Sequence, residues 1–174
     1  TDALFNTRRY RYDGAGNLVA NTDAEGHTTL LDYDGQNRPT RITDALGNVT
    51  TYEYDDAGNP VAVTNALGHA TRFEYDKSGR ICVQIDAKGN RTVYGYDTAG
   101  RLATHTDCSG YRSYYRYDTD DNLVATLDAL EQQTAYTRDA WGQVTAITHP
   151  DGTQEHYAYD AEGKLVPQPT DAPS

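Results

Sequence analysis

Apolar and polar residues alternate along most of this chain in short runs, each closed by a turn signal. In Asn48-Val49-Thr50-Thr51-Tyr52-Glu53-Tyr54, the residues Thr50, Tyr52 and Tyr54 alternate with Val49, Thr51 and Glu53. That is the two-residue period of a β-strand. Such runs last about six residues and are rich in Val, Thr, Ile and Tyr, as strands are. No segment keeps a 3.6-residue apolar period beyond two turns, and a glycine interrupts every ten or eleven residues. The pattern predicts an all-β chain.

The runs are copies of one another. Tyr-Asp stands at Tyr12-Asp13, Tyr33-Asp34, Tyr54-Asp55, Tyr75-Asp76, Tyr96-Asp97, Tyr117-Asp118 and Tyr159-Asp160. Successive pairs are 21 residues apart except for one gap of 42, and Arg138-Asp139 sits in the middle of that gap, in register. The chain is therefore eight copies of a 21-residue unit. With the Tyr as position 1, position 2 is Asp in all eight copies. Position 5 is glycine (Gly16, Gly58, Gly79, Gly100, Gly142, Gly163) except at Asn37 and Asp121. Position 7 is apolar or Pro throughout. Position 12 is usually Asp, and position 15 is glycine (Gly26, Gly47, Gly68, Gly89, Gly110, Gly152) except at Phe5 and Glu131.

Each Asp-x-x-Gly segment reads as a turn. The Asp accepts hydrogen bonds from amides ahead of it, and the Gly supplies a positive φ. Asn37 and Asp121 fit, because Asn and Asp tolerate that conformation best among other residues. Phe5 and Glu131 lack the tolerance, so their two turns are expected to be distorted. Each copy is then one β-hairpin, and the chain a tandem run of hairpins forming a long, twisted antiparallel sheet.

The odd period constrains the strands further. With two like turns, residue p would align with p + 20, while its equivalent is p + 21. Side chains alternate faces with period 2, so equivalent residues would swap faces at every copy. Keeping the tyrosines on one face requires a one-residue difference, most simply a β-bulge in each copy. Strands about 4.8 Å apart would carry such a ribbon to about 75 Å, and accumulated twist would make it coil or wrap. The array spans residues 1–166, partial at both ends. Residues 167–174 hold three of the six prolines and are expected to leave the sheet as a disordered tail.

Composition sharpens this picture. The chain has 15 Tyr against 2 Phe and 1 Trp, and 13 of those tyrosines fall at positions 1 and 20. Stacked along a sheet they would form ladders, each neighbouring pair adding ~0.5–1 kcal/mol. The net charge of −11 argues against nucleic acid and anionic membrane as partners. No apolar run reaches the roughly 18–20 residues of a membrane-spanning helix. With no Met and a start at Thr1-Asp2, the sequence reads as a piece of a longer chain, with no signal peptide in view.

The Tyr-Asp signature on this hairpin repeat resembles the Rhs/YD-repeat family. YDDAGN at 54–59, TDALGN at 43–48 and YDTAGRL at 96–102 are similar to its bacterial consensus, and the resemblance runs from Thr1 to Val166. It implies a segment of a spiral β-shell, as in Rhs toxins, toxin-complex C components and teneurins. In bacterial members such a shell encloses a C-terminal toxin, with self-cleavage in a terminal cap. It is exported by a type VI secretion spike or another contact-dependent route used in bacterial competition. The implied partners are the rest of the shell, the enclosed toxin, and spike or adaptor proteins. No residue here matches the cap's cleavage motif or a toxin motif.

No chemistry stands out against that reading. His27 and His69 share position 16 and read as turn-flank residues rather than metal ligands. His149, Glu155 and His156 lack zincin spacing. Asp118-Thr119-Asp120-Asp121-Asn122 opens like a calcium loop, but Leu123 stands where Gly is needed and Ala129 where Glu is needed. Cys82 lies mid-strand and Cys108 on a turn tip one copy later, more than about 7 Å apart, which speaks against a disulfide. The carboxylates repeat with the turns, whereas a catalytic group is singular. The expectation is a structural, non-enzymatic wall segment with no cofactor and no metal. The alternative is a surface carbohydrate-binding or adhesion module whose exposed tyrosines stack on glycans. A metal-dependent hydrolase has only the scattered histidines behind it.

Overall fold

The computed structural model describes residues 7–166. Phe5, and the Pro-rich stretch expected to leave the sheet, lie outside them. Among the described residues there is no helix. The strands are β1 Arg9–Tyr12, β2 Leu18–Thr22, β3 Thr28–Tyr33, β4 Pro39–Thr43, β5 Val49–Tyr54 and β6 Pro60–Thr64. There follow β7 Ala70–Tyr75, β8 Ile81–Ile85, β9 Arg91–Tyr96, β10 Leu102–Thr106, β11 Arg112–Tyr117 and β12 Leu123–Leu127. The last are β13 Gln133–Arg138, β14 Val144–Thr148, β15 Gln154–His156, β16 Ala158–Tyr159 and β17 Leu165–Val166. Strands β1 to β15 follow chain order in a 15-stranded sheet, and β16 pairs with β17 antiparallel in a second, two-stranded sheet. The chain divides into two compact units, Thr1–Arg91 and Thr92–Ser174.

Both turns of a copy have the same backbone. In the first, Asp55 N donates to Asn59 O and Gly58 N to Asp55 O, each at 3.0 Å. In the second, Asp44 N donates to Asn48 O and Gly47 N to Asp44 O, again at 3.0 Å. The glycines sit at positive φ, 91° at Gly58 and 83° at Gly47, where an ordinary side chain would clash. Asn37 (61°) and Asp121 (65°) take the same conformation.

Glu131 corrects the expectation of a distorted turn. It adopts φ 62°, and Glu131 N still donates to Asp128 O at 3.0 Å. The flanking pairs Leu127↔Gln133 and Thr126↔Thr134 hold both ends of the loop. The Asp128 carboxylate takes Leu130 N and Gln132 N at 2.8 and 2.9 Å. These contacts absorb a left-handed penalty of about 1–2 kcal/mol.

The bulge demanded by the odd period is present in seven copies, always across the Tyr-Asp turn. Tyr54 pairs with Pro60 and Glu53 with Ala62, so Val61 at position 8 is the extra residue. The same break recurs in the pairs β1/β2, β3/β4, β7/β8, β9/β10, β11/β12 and β13/β14. Following paired residues from Arg11 to Ala20 to Leu30 advances 19 residues, from 11 to 30. Equivalent residues are 21 apart, so each copy lags by two, an even number, and the tyrosines keep to one face. In the last copy Ala158 pairs with Val166 and Tyr159 with Leu165, with no extra residue between.

The core is thin. The buried apolar residues are Ala20, Ala62, Val83, Ala125 and Ala146, all at position 9, immediately after the bulge. Position 9 faces position 21 across the bulged seam. Where position 9 is Thr104, position 21 is Gly95, and a Cβ there would overlap the Thr104 hydroxyl.

Candidate functional site: the joints between copies and the two faces

The Tyr-Asp signature builds a joint. Asp55 Oδ1 accepts from Asn59 N at 2.8 Å, and its Oδ2 accepts from the Asn59 side chain at 2.9 Å. Asp34, Asp76 and Asp97 bind the guanidinium of Arg38, Arg80 and Arg101 at position 6 in the same way, at 2.7–2.8 Å. Side-chain and then main-chain donation from Asn17, Asn48, Asn59 and Asn90 holds Asp13, Asp44, Asp55 and Asp86 below the usual carboxylate range. Arg80 does the same to Asp76. These aspartates are committed to folding, as the turn reading expects.

The tyrosine reaches backward across a copy. Tyr33 OH donates to Leu18 O at 3.0 Å, Tyr54 OH to Pro39 O at 2.7 Å, and Tyr75 OH to Pro60 O at 2.7 Å. Tyr117 OH and Tyr159 OH bind Leu102 O and Val144 O at 3.0 and 2.9 Å. Each acceptor is the position-7 carbonyl beside the bulge, a site where ladder pairing lapses. Arg138 does the same work in its copy, its Nε and second amino group donating to Leu123 O at 3.2 and 3.0 Å. Desolvation pushes the Tyr54 and Tyr75 phenols above their ordinary value.

Among the described residues the rings are not stacked in a tyrosine ladder. Across the seam from Tyr52 stands Val63, from Phe73 Gln84, and from Tyr136 Ile147. Position 20 therefore meets position 10, not another Tyr. Tyr94 meets His105, with ring centroids 5.5 Å apart and planes at 50°. Position-1 rings instead carry guanidinium groups: Arg38 lies 4.6 Å over Tyr54 and Arg101 4.8 Å over Tyr117. Arg38 and Arg101 also donate to Asp55 O and Asp118 O in the next turn, at 3.1 and 2.9 Å. Position 6 is thus a second tie between copies, one that sequence pattern did not single out.

The two faces differ in charge. Cross-strand partners share a face, so within each compact unit positions 1, 7, 10, 18 and 20 lie together. From β1 to β12 these are Tyr, Leu, Ile, Val, Phe, Pro, Thr, Ser, Asn, Gln and one His, with no Asp, Glu, Lys or Arg. The opposite face carries Arg9, Arg11, Asp32, Arg41, Glu53, Arg72, Glu74, Arg91, Arg112 and Arg116.

The residues weighed for chemistry are scattered. His27 Nδ1 lies 3.0 Å from Asp23, a turn contact. His149 Nε2 lies 2.9 Å from Glu155, which also accepts from Tyr157 OH. Cys82 and Cys108 are free thiols, and Cys82 Sγ, at position 8, contacts Glu74 O at 3.5 Å. Among the described residues no group of three His, Cys, Asp or Glu side chains is set to hold a metal ion. No helix among them is long and apolar enough to cross a membrane.

The RHS repeat model matches residues 33–70, 54–91, 75–112, 96–130, 117–154 and 138–168. Every matched window starts at position 1 of a copy. The chain belongs to the RHS repeat family. Among solved structures it is similar to a TcdB2-TccC3-TEV crystal structure, with 15% identity and a TM-score of 0.69. That match covers 91% of this chain and 10% of the other. A crystal structure of TcdB2-TccC3 without its hypervariable C-terminal region matches at 18% identity and a TM-score of 0.57, covering 91% and 11%. These likenesses show a shared fold. This chain spans about a tenth of the length of these solved chains. No curated protein matches it by sequence at a significant level.

Proposed function

We propose that this RHS repeat chain is a stretch of wall in a bacterial β-shell that encloses a C-terminal toxin during delivery to neighbouring cells. The observation that carries it is where the signature residues spend their chemistry. The repeated Asp and Tyr groups close turns or tie one copy to the next, and none is left as a singular reactive group. On this reading the chain is non-enzymatic and binds no cofactor. Its partners are further repeats of the same shell, the enclosed toxin, and the spike or adaptor that exports the whole. Localisation outside the producing cell follows from the same proposal.

The test uses the full-length protein. A protease added to the native protein should leave the C-terminal region intact. The triple change Tyr33→Phe, Tyr54→Phe and Tyr75→Phe, which cuts three joints, should make that region cleavable. If the C-terminal region is digested equally in both, the shell reading fails. A glycan-binding role for Tyr54 has less behind it, since Arg38 covers that ring and its hydroxyl is already engaged.

A further inference from the structure

The first six Tyr-Asp turns share a detail that the last two lack. In Asp13, Asp34, Asp55, Asp76, Asp97 and Asp118, Oδ2 is held by the position-6 side chain. In the seventh turn Gln143 turns its amide away, donating to Gly163 O at 3.1 Å. Asp139 keeps its turn contacts through Oδ1, from Trp141 N and Gln143 N at 2.9 and 3.0 Å. Asp160 likewise uses Oδ1, for Glu162 N and Lys164 N at 3.1 and 2.8 Å. Their Oδ2 atoms and the Glu162 carboxylate have no partner among the described residues.

These groups line one cleft of about 570 Å³ between the two turns, and Trp141 lines it with them. Trp141 occupies position 4, where the other copies carry Ala, Gln, Ser, Asp or Glu. Its side chain is 84% exposed, so the chain's one indole adds nothing to the core. An indole face beside carboxylate oxygens attracts a delocalised cation through both the ring quadrupole and charge.

We propose that the Trp141 cleft binds an arginine-bearing peptide segment, its guanidinium laid on the indole and hydrogen-bonded to Glu162 and the free oxygens of Asp139 and Asp160. The site is independent of the wall reading and lies between the turn joining β13 to β14 and the turn joining β16 to β17.

Trp141 is the only tryptophan, so its emission reports the site directly. The 174-residue chain would be titrated with the peptide acetyl-Gly-Arg-Gly-Arg-amide, with its Gly-Glu-Gly-Glu counterpart, and with cellotetraose. The expected result is a saturable emission change with the arginine peptide alone. Glu162→Gln, an exposed change outside the turn's hydrogen bonds, should weaken it about fivefold. Trp141→Ala should abolish the binding heat measured by calorimetry, with the β circular dichroism unchanged. Absence of a saturable change, full affinity in Glu162→Gln, or equal saturation by the acidic peptide or the sugar would each overturn the proposal.

Discussion

Each copy is joined to its surroundings by two seams, and the seams are not alike. Across the Asp-x-x-Gly turn at positions 12–15 the ladder is regular: Ala62↔Arg72, Val63↔Thr71, Thr64↔Ala70. Across the Tyr-Asp turn it is broken by an extra residue, and here lies the buried position 9. The tyrosine hydroxyl bond (β7 to β6 for Tyr75 and Pro60) and the position-6 tie cross the regular seam, from one Tyr-Asp hairpin to the next. The turns themselves are nearly identical, down to their hydrogen-bond lengths. Local turn chemistry therefore does not distinguish the seams; the bulge does. Beside it stands the position-7 carbonyl, which accepts from the tyrosine or Arg138 of the next copy across the regular seam. The defect that lets an odd period keep one face adjoins the acceptor that ties copies together.

What the seams share should fail together. Most of the turn aspartates have carboxyls held below their ordinary value by hydrogen bonds from the residue four ahead. Their contribution is full above the unfolded carboxylate value near 3.8 and is lost as pH falls through the lower folded values. Acid titration followed by circular dichroism should show loss of β-structure setting in below pH ~4. Survival of full β signal well below that range would break the account of the turns. The next largest effect belongs to the bulged seam alone. Gly95→Ala should cost about 1–3 kcal/mol by overpacking against Thr104. Adding Thr104→Ala should recover most of that in urea unfolding, and additive losses would sink the fit of Gly95 to Thr104.

Much of this was legible from residues, and the rest was hidden for physical reasons. The period of 21 and the rule that side chains alternate faces were enough to demand a bulge, which the structure places at position 8. The buried position 9 left no signal, because Arg41 and Thr104 interrupt its run of small apolar residues and Ala also fills the turns. Tyrosine stacking was the wrong inference. Sequence spacing puts rings at like positions but cannot show that position 10 intervenes between them. A usable signal for the hydroxyl bond did exist: position 1 never takes Phe, whereas position 20 accepts Phe73 and Leu31. The distorted turn expected at Glu131 failed because residue preference is an average, while paired strands on both sides leave that loop no alternative.

The hydroxyl bond gives a sharper contrast within one strand. Tyr52 and Tyr54 share a face, yet only Tyr54 has a carbonyl to serve. Tyr54→Phe should cost about 1–1.5 kcal/mol by leaving Pro39 O unpaired, while Tyr52→Phe stays near zero. Alkaline pH should act on the same bond. A phenol raised in the folded state contributes fully below its unfolded value near 10, and that contribution is lost as pH climbs through the higher folded value. Equal costs for the two changes would remove the distinction between positions 1 and 20.

The smallest effect lies on the regular seam and has the opposite sign. Glu131 holds φ 62° in a loop whose counterparts are mostly glycine. Glu131→Gly removes the left-handed penalty but adds freedom to the unfolded chain, so a net gain of about 0.5–1 kcal/mol is expected in thermal unfolding. The carboxylate makes no ion pair among the described residues, so backbone conformation is the main term that changes. A loss of stability instead would mean that the Glu131 side chain supports its seam by a contact the regular ladder does not need, and the two seams would then be less different than their pairing makes them.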